Sequence, residues 1–560
     1  MFDLVLKNGR VLDGAGNPWF NADVAFKNGR IAKIGKVTSK NVERVIDVRG
    51  LMVSPGFIDI HSHSDTGMLA DPKMESKLRQ GITTDVNGQC GSSPAPVNEK
   101  NLEIKGLRVI PKEDVDWTTM NGYFKRLERQ GISQNAITMV GHGTIRNYVM
   151  GENHGTPTSL ELDEMKELVR AAMEDGAVGL STGLAYSPGC YAHTDELVEL
   201  AKIAAEYRGM YATHLRESCS DVLGWKGEQG TTYLSIEEAI NIGRRSGIRV
   251  VQLSHLSSNS PFSGDPDLGE KIHKLIDDSR EEGIDVTADI LPSDWGSVSP
   301  WPSRSVFSPK YLVDGKEKLI EMLKDSEKRA VLKEEILIKS PSEMGFENTT
   351  ARLLMIRQGL GDGVWIFPSF NGRFKNPEYE RKSLDEIAGM KGKDLLDSLF
   401  DLLVEEDGNI CIANKVMDNR MGQMTWNITM PSTDGGGVDK PEDSIQRVRP
   451  SAYSGFSDAL VWVREKKLIT LEDMVRRMTS MPARTLALKE RGLLKEGFWA
   501  DITVFDFDNV KSLCTYRNDA RPAYPEGIPY VIVNGVPVIE NSEHTGALPG
   551  KVLRHPFDRS

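Results

Sequence analysis

The stretch Pro55–Asp65, PGFIDIHSHSD, decides the fold expected for this chain of 560 residues. Its apolar run, which ends at Ile60, breaks off into the alternating pair His61 and His63. Side chains two residues apart on a β-strand share one face. Both imidazoles are therefore expected on one side of a strand's carboxyl end, where they can chelate one metal ion. For this pair alone, two surface histidines in a loop are an equally good interpretation.

The middle of the chain alternates helix and strand patterns. Residues 158–183, TSLELDEMKELVRAAMEDGAVGLSTG, predict a helix capped by Thr158 or Ser159, ended by Gly176 and followed by a short strand. The same pattern recurs after Thr194, which is the cap expected for the next helix. Helices that alternate with buried strands imply a parallel sheet with right-handed crossovers.

About eight such strands can be counted, which favours a closed (β/α)₈ TIM barrel; an open α/β sheet is the alternative. The predicted strands end near Ile60, Val86, Val140, Leu180, Thr213, Ser254, Ala288 and Pro431.

The two ends of the chain have a different texture. Short alternating strands joined by Asn-Gly and Arg-Gly turns occur at both ends and predict hairpins. We expect one small β-domain built from residues 1–54 and 485–560, with the barrel formed by residues 55–484. The alternation lapses at about 296–409, which we interpret as an insertion after a strand's carboxyl end, where it can act as a lid or substrate wall.

Composition excludes several classes of protein. A net charge of −12 argues against nucleic-acid binding, and no apolar run approaches the roughly 20 residues that span a bilayer. The first residues lack the pattern of a secretory signal. Five scattered cysteines do not suggest a disulfide framework, so a reducing cytoplasm is the expected setting.

Polar groups follow four other predicted strands. In a barrel all strand carboxyl ends meet at one face. A lone histidine at a strand end is more often structural, but a set of six candidate ligands reverses that preference. Four imidazoles, a thiolate and a carboxylate suit one or two borderline-soft ions such as Zn²⁺. The four added groups are Cys90 after strand two, His214 after strand five, His255 after strand six and Asp434 after strand eight.

These groups also predict a chemistry. Zn²⁺ lowers the pKa of bound water to about 7, which produces hydroxide at neutral pH. Asp434 can accept a proton as this water attacks a carbonyl carbon, and can return it to the leaving nitrogen. Taken singly, the catalytic role of Asp434 in TDGGG competes with a role as a turn former, and a free cysteine such as Cys90 is usually a small buried hydrophobe.

Segments spread over nearly the whole chain resemble the amidohydrolase superfamily, and most closely its N-acyl-D-amino-acid deacylase (D-aminoacylase) branch. The histidine pair together with Gly-x-Cys-Gly is the specific part. The similar segments are FDLVLKNGRVLDGAGNP, PGFIDIHSHSD, GITTDVNGQCGSSPAP, GHGTIRNYVMG, GAVGLSTGLAYSPG, YATHLRES, LSHLSS, STDGG, MTSMPARTLAL, GFWADITVFD and GALPGKVLR.

The resemblance implies a distorted TIM barrel with a small β-sandwich domain. It implies His61 and His63 at one metal position, with a second position held by two later histidines, His214 and His255. Cys90 would lie between the two positions, in place of the carboxylated lysine of other relatives. The resemblance also implies that Asp434 is the catalytic acid/base.

Several expected substrate contacts depart from the branch's pattern. Ser257 stands where a lysine commonly binds the substrate α-carboxylate, and Leu291 and Ser293 replace two tyrosines. Tyr186 does match the pattern. Ser451 replaces an arginine, so Arg449, two residues earlier, is a candidate replacement, as is Arg420. Each of these two arginines, taken alone, is more often a solvated charge.

The leading hypothesis is a zinc-dependent hydrolase of a small-molecule amide, either an N-acyl-D-amino-acid deacylase or a relative with altered recognition. A dipeptide, a cyclic amide or another N-acyl amine is an alternative substrate. A heterocycle deaminase is a third hypothesis, since Glu217 follows His214 in an H-x-x-E context. A non-catalytic scaffold would be expected to lose metal ligands, and none is lost here. The oligomeric state stays open, and a homo-oligomer is one alternative.

Overall fold

The structure is a computed structural model, and its described strands form four sheets. The described residues are 1–38, 42–102, 110, 112–151, 153, 155–185, 187–216, 231–256, 266–292, 299–300, 307, 311, 315–338, 356–368, 374–379, 382–414, 424–437, 450–514 and 523–556. The described strands are β1 (Phe2–Val11), β2 (Phe20–Lys27), β3 (Arg30–Gly35), β4 (Val42–Asp47), β5 (Met52–Pro55), β6 (Phe57–Asp59), β7 (Ile82–Asn87), β8 (Asn135–Thr138), β9 (Val140–Gly141), β10 (Gly179–Gly183), β11 (Met210–His214), β12 (Val250–Leu253), β13 (Asp285–Ile290), β14 (Ser299–Pro300), β15 (Val364–Pro368), β16 (Ile410–Asn414), β17 (Thr429–Pro431), β18 (Ile502–Phe505), β19 (Tyr530–Val533), β20 (Val536–Glu540) and β21 (Glu543–His544).

Helices connect most of the central strands, as the alternating pattern predicts. None of the described helices is long and apolar enough to cross a membrane. They are α1 (Gly67–Ala70), α2 (Glu75–Leu78), α3 (Met120–Gln130), α4 (His142–Met150), α5 (Ser159–Asp175), α6 (Thr194–Glu206), α7 (Thr231–Ser246), α8 (Pro266–Glu281), α9 (Gly315–Lys324), α10 (Ser326–Ile338), α11 (Leu384–Lys391), α12 (Leu395–Glu405), α13 (Ser451–Lys466), α14 (Leu471–Met478) and α15 (Ser480–Leu486).

The central strands are parallel, and each of the eight predicted strands is present at its expected place. The third is broken at Met139 into β8 and β9. Hydrogen bonds form a six-stranded sheet of order β17-β13-β12-β11-β10-β9 and a three-stranded sheet of order β6-β7-β8. Beyond the ends of β17 and β6, which are outer strands of these two sheets, Asp434 N–H donates to His61 O at 3.0 Å. Ser62 and Gly435 form an isolated parallel β-bridge there. Among the described strands, pairing alone does not close a barrel.

Strands from both ends of the chain lie in one sheet. Its order is β21-β20-β19-β18-β5-β1-β2-β3, with β4 paired to β1. β1 is long enough to pair with β4 near its start and with β5 at its end. The two ends meet where β5 pairs with β18, for example Val53 with Val504. Apolar side chains such as Leu6, Phe26 and Ile502 cluster on this sheet. The described hydrogen bonds thus join the strands of both chain ends in one continuous sheet.

Helix boundaries test the capping predictions. Thr158 caps α5 in a capping box with Glu161, and Gly176 ends that helix at φ +114°, which confirms the prediction. The prediction for the next helix was wrong. His193 is the residue before α6, while Thr194 is already helical and its hydroxyl donates to Glu238 at 2.8 Å. That tertiary hydrogen bond competes with the local cap.

The segment between β13 and β17 has its own core. Its strands form an antiparallel sheet of order β14-β16-β15, packed with helices α9 to α12. Buried side chains including Leu319, Leu399, Phe400 and Ile412 form a hydrophobic cluster distinct from that of the parallel sheets. The insertion expected at about 296–409 therefore packs around a separate apolar centre, and its last strand runs on to Asn414.

This core predicts the effect of Leu399→Ala. Leu399 is fully buried, so the cavity should lower the free energy of unfolding of this segment by about 2–5 kcal/mol. Leu337→Ala removes the same atoms from a side chain that is 46% exposed and should change stability by less than about 0.5 kcal/mol. Urea unfolding of both variants measures the difference. Equal midpoints would contradict a packed core here.

Candidate metal and catalytic site

The thiol of Cys90 lies among three imidazoles. Its Sγ atom is 3.3 Å from His61 Nε2, 3.6 Å from His214 Nδ1 and 3.5 Å from His255 Nε2. His61 follows β6, Cys90 follows β7, His214 ends β11 and His255 follows β12. The four residues thus come from four separate strands. The structure thus brings together four of the residues that the sequence predicts as ligands.

Asp434 lies beside the histidine pair as well. Its Oδ1 atom is 3.1 Å from His63 Nε2 and 3.6 Å from His61 Nε2. His61, His63, Cys90 and Asp434 form one group of potential metal ligands, in which the ligand atoms all lie within 4.8 Å of one another. The second such group, Cys90, His214 and His255, shares the thiol. All six predicted groups therefore converge at the strand ends.

Three of these residues have backbone in the left-handed region. φ is +54° at Cys90, +36° at His255 and +44° at Asp434. Residues other than glycine rarely adopt this conformation, which costs on the order of 1–3 kcal/mol and persists only where surrounding contacts enforce it. The contacts around the site therefore hold these three side chains in directions that a regular strand cannot supply.

Glycines shape the turn that carries Cys90. Gly88 and Gly91 both have φ +72°, and a Cβ on Gly91 would lie only 2.7 Å from Gly183 N. The Ser181 hydroxyl donates to Gly88 O at 2.5 Å and accepts from Gly91 N–H at 3.1 Å. The turn is thus pressed against β10 and fixed on both sides of the cysteine.

Charged groups of the site shift the pKa values of their neighbours. Burial alone would lower the pKa of His61, but the negative charges of Asp289 and Cys90 raise it to about 10. Burial would raise the pKa of the Cys90 thiol, yet the charge on His61 and hydrogen bonds from two further imidazoles lower it well below its ordinary value. These contacts favour the thiolate, which is the form that binds metals.

Asp289 in β13 is a site residue that the sequence reasoning missed. Its Oδ2 atom lies 3.4 Å from His61 Nδ1 and accepts from Gln252 at 2.9 Å. Its Oδ1 atom accepts from His255 N–H at 2.9 Å and from the Ser432 hydroxyl at 2.8 Å. One carboxylate therefore orients ligand residues from two strands. The only signal was a second aspartate near the end of the predicted strand DVTADI.

The donor set fits a zinc ion. Two ligands of tetrahedral zinc, with Zn–S of about 2.3 Å and Zn–N of about 2.0 Å, lie about 3.5 Å apart. The separations between the Cys90 thiol and its three imidazoles span 3.3–3.6 Å, so the atoms are spaced as metal ligands are. A thiolate with imidazoles and a carboxylate is also the chemistry that zinc prefers.

The four predicted substrate contacts lie outside the described residues; they are Tyr186, Ser257, Ser293 and Arg449. The same holds for Arg420 and Glu217. Leu291, which replaces a tyrosine of the pattern, is described and is buried just after β13.

Imidazoles, a thiolate and a carboxylate at the ends of parallel strands are typical of metal-dependent hydrolases. An amidohydrolase family model matches residues 44–253 and 419–539. N-acyl-D-glutamate deacylase of Alcaligenes xylosoxydans xylosoxydans is 31% identical over 99% of this chain and 96% of that protein. The chain belongs to the amidohydrolase family, as its motifs predict.

Solved structures agree with this assignment. The crystal structure of N-acyl-D-glutamate deacylase from Bordetella bronchiseptica, complexed with zinc and a phosphonate that mimics the tetrahedral intermediate, has a TM-score of 0.73. It is 29% identical and covers 99% of both chains. A D-aminoacylase with a binuclear metal centre, described by one-metal activation and second-metal attenuation, has a TM-score of 0.74. It is 27% identical over 99% of this chain and 100% of its own. The α/β fold matches these enzymes.

The Gly91 contact predicts that Gly91→Ala will displace the Cys90 turn, because its Cβ would meet the backbone of Gly183. We expect fewer bound zinc ions per chain, as measured by atomic emission after incubation with zinc. Gly247→Ala is the control, since Gly247 has φ +70° but nothing within 4 Å of its Cβ position. It should cost about 1 kcal/mol of stability and keep full metal content. Equal metal content in both variants would contradict the prediction.

Proposed function

We propose that this protein is a zinc-dependent hydrolase of the amide bond of N-acyl amino acids, with N-acyl-D-amino acids as the first class to test. The observation that carries the proposal is the convergence of Cys90, four histidines and Asp434 at the ends of five strands. The deacylases that match over the full length support the substrate class.

The ligand groups offer two adjacent metal positions that share one thiolate. His61 and His63 would hold one ion with Cys90, with Asp434 beside them, and His214 and His255 would hold another. Bound zinc polarises a carbonyl group and lowers the pKa of water. The binuclear D-aminoacylase among the similar structures supports a site for one or two ions.

Asp434 is the group placed to move the proton. Its carboxylate is 5% exposed and lies within 3.6 Å of both imidazoles of the pair, whereas the Asp289 carboxylate is held by His255 N–H and the Ser432 hydroxyl. It would accept the proton of the attacking water and donate it to the nitrogen that leaves the tetrahedral carbon. One group thus serves as base and then as acid.

Asp289 fixes the orientation of the histidines. By facing His61 Nδ1 it leaves Nε2 directed at Cys90 and Asp434, which selects the tautomer that binds a metal. Its contact with His255 N–H holds that residue at its unusual φ. The carboxylate therefore acts on two ligands without touching substrate.

Substrate recognition is proposed to differ from that of the matched deacylases. Ser257, Ser293 and Leu291 stand where the branch's pattern has a lysine and tyrosines, and Arg449 and Tyr186 are the remaining candidate contacts. A short polar serine cannot replace a charged carboxylate anchor. A dipeptide, a cyclic amide or another N-acyl amine is the alternative substrate class.

We further propose that residues 55–484 form one distorted (β/α)₈ barrel and that residues 1–54 and 485–560 form a small β-sandwich domain. The hydrogen bond from Asp434 N–H to His61 O supports closure of the barrel. Residues 296–409 follow the carboxyl end of β13, which supports a role as lid or substrate wall. A cytoplasmic setting is proposed from the cysteine pattern alone.

Asp434→Asn tests the proton transfer. The amide cannot accept the proton of water, so kcat should fall on the order of 10²- to 10⁴-fold while the zinc content stays unchanged. Asp163→Asn, on the exposed face of α5, is the matched control and should keep full activity. Rates on the best substrate together with metal counts measure the effect. Full activity of Asp434→Asn would refute its role.

A substrate screen tests the reaction itself. Purified protein should release carboxylate and amine from N-acyl-D-amino acids, from N-acyl-L-amino acids or from amides without a carboxylate. A chelator should abolish the release and added zinc should restore it. Release of ammonia from a purine or pyrimidine would indicate the deaminase instead. Lack of zinc affinity together with lack of amide hydrolysis would favour the scaffold.

A further inference from the structure

Lys77 is a fully buried cation close to the site. It lies in the short helix α2, and its Nζ atom is 2.7 Å from Asp59 Oδ2 and 2.5 Å from Thr433 Oγ1. Lysine is almost never fully buried unless it is paired, because removing its charge from water is costly. The proposed reaction assigns no role to this charge, so its position needs another explanation.

Asp59, the partner of Lys77, connects the first strand to the last. Its Oδ1 atom accepts from Thr433 N–H at 3.1 Å and from His61 N–H at 3.3 Å. Its Oδ2 atom accepts from the Thr433 hydroxyl at 2.5 Å. One carboxylate at the end of β6 thus holds the backbone of a ligand histidine and of the residue next to Asp434.

The turn around Asp434 depends on those hydrogen bonds. Thr433 Oγ1 also accepts from Gly435 N–H at 3.3 Å, so the hydroxyl spans the turn on both sides of Asp434. Asp434 itself has φ +44°, a conformation that persists only when its neighbours enforce it. Within the described residues these contacts include the hydroxyl, the Asp59 carboxylate and Lys77.

A second carboxylate faces the same cation. Asp85 Oδ2 is 3.8 Å from Lys77 Nζ and accepts from the Ser62 hydroxyl at 2.8 Å, while Lys77 Nζ also donates to Ser62 Oγ at 3.2 Å. Without Lys77, two buried carboxylates would face each other with no cation between them. Breaking a buried ion pair is strongly destabilising, because it leaves an uncompensated charge.

We propose that Lys77 and Asp59 are positioning residues that hold the Asp434 turn against the histidine pair, so that the acid/base stays aligned with the reacting atoms. This inference rests on the function proposed for Asp434. A displacement of about 1 Å at a reacting group can lower the rate by on the order of 10²-fold. Neither residue touches the substrate in this role, and neither binds the metal.

Lys77→Met tests the charge. The variant leaves Asp59 unpaired, and we expect kcat to fall on the order of 10²-fold with an unchanged KM and zinc content. Lys77→Met combined with Asp59→Asn removes the charges of this pair, which restores the wild-type excess of one negative charge with Asp85, and it keeps an acceptor for Thr433 N–H. It should recover most of the lost kcat. Failure of the double variant to exceed Lys77→Met would overturn the proposal.

Thr433→Val tests the link to the turn without creating a buried charge, so it should fold even where Lys77→Met does not. We expect the same fall in kcat at constant KM. Thr503→Val is the matched control, because its buried hydroxyl bonds Gly81 O at 2.6 Å in the terminal sheet. It should lower thermal stability but not kcat. Wild-type kcat in Thr433→Val would contradict the proposal.

Crystal structures of these variants supply a readout that does not depend on activity. We expect Asp434 Oδ1 to move away from its position 3.1 Å from His63 Nε2 in Lys77→Met and Thr433→Val, and to return in the double variant. An unmoved Asp434 would refute the positioning role. A wild-type protein that cleaves no amide would refute the proposed function, but the displacement would still be measurable.

Discussion

The contact on which the site depends is that of the Cys90 thiolate with three imidazoles in a region from which water is largely excluded. A buried negative charge is tolerated only when positive or hydrogen-bonding groups surround it, and here they come from β6, β11 and β12. Because these strands are remote in sequence, the sheet must place their carboxyl ends correctly before the charge can be compensated. The glycines at 88 and 91 then allow the cysteine turn to lie against β10.

Around this centre, the carboxylates of Asp289 and Asp59, together with Lys77, make polar contacts that orient the ligand residues. Asp289 joins the histidines of β6 and β12, while Asp59 joins β6 to the turn after β17. Each carboxylate accepts several hydrogen bonds, so each is fixed in direction as well as neutralised. The arrangement accounts for the left-handed backbone at Asp434, since a strained residue needs neighbours that leave it no alternative. Stability and alignment of the site therefore arise from the same buried polar contacts.

Much of this could be predicted from the sequence. The HSH alternation fixes both imidazoles on one face, and the positions of Cys90, His214, His255 and Asp434 just after apolar runs predict that they meet. Asp289, Asp59 and Lys77 could not be found in this way, because a single charged residue in a strand or short helix carries no periodic signal. The break of the third strand at Met139 depends on how neighbouring strands pair. The start of α6 after His193 depends on the hydrogen bond from the Thr194 hydroxyl to Glu238. The separate core of the insertion could not be predicted either, because it depends on which helices pack together.

The pairing of the terminal strands has a consequence for how the molecule is made. Ser54 Oγ donates to Thr503 O across 449 positions of chain, and β5 continues directly into β6, which leads to the histidine pair. Contacts between such distant segments form slowly, because a long loop must be closed before the contact contributes any free energy. A chain still emerging from the ribosome has β1 but not β18 as a partner for β5, and it has no final strand beside His61. Assembly of the metal-binding groups therefore waits until β17 and β18 have been synthesised.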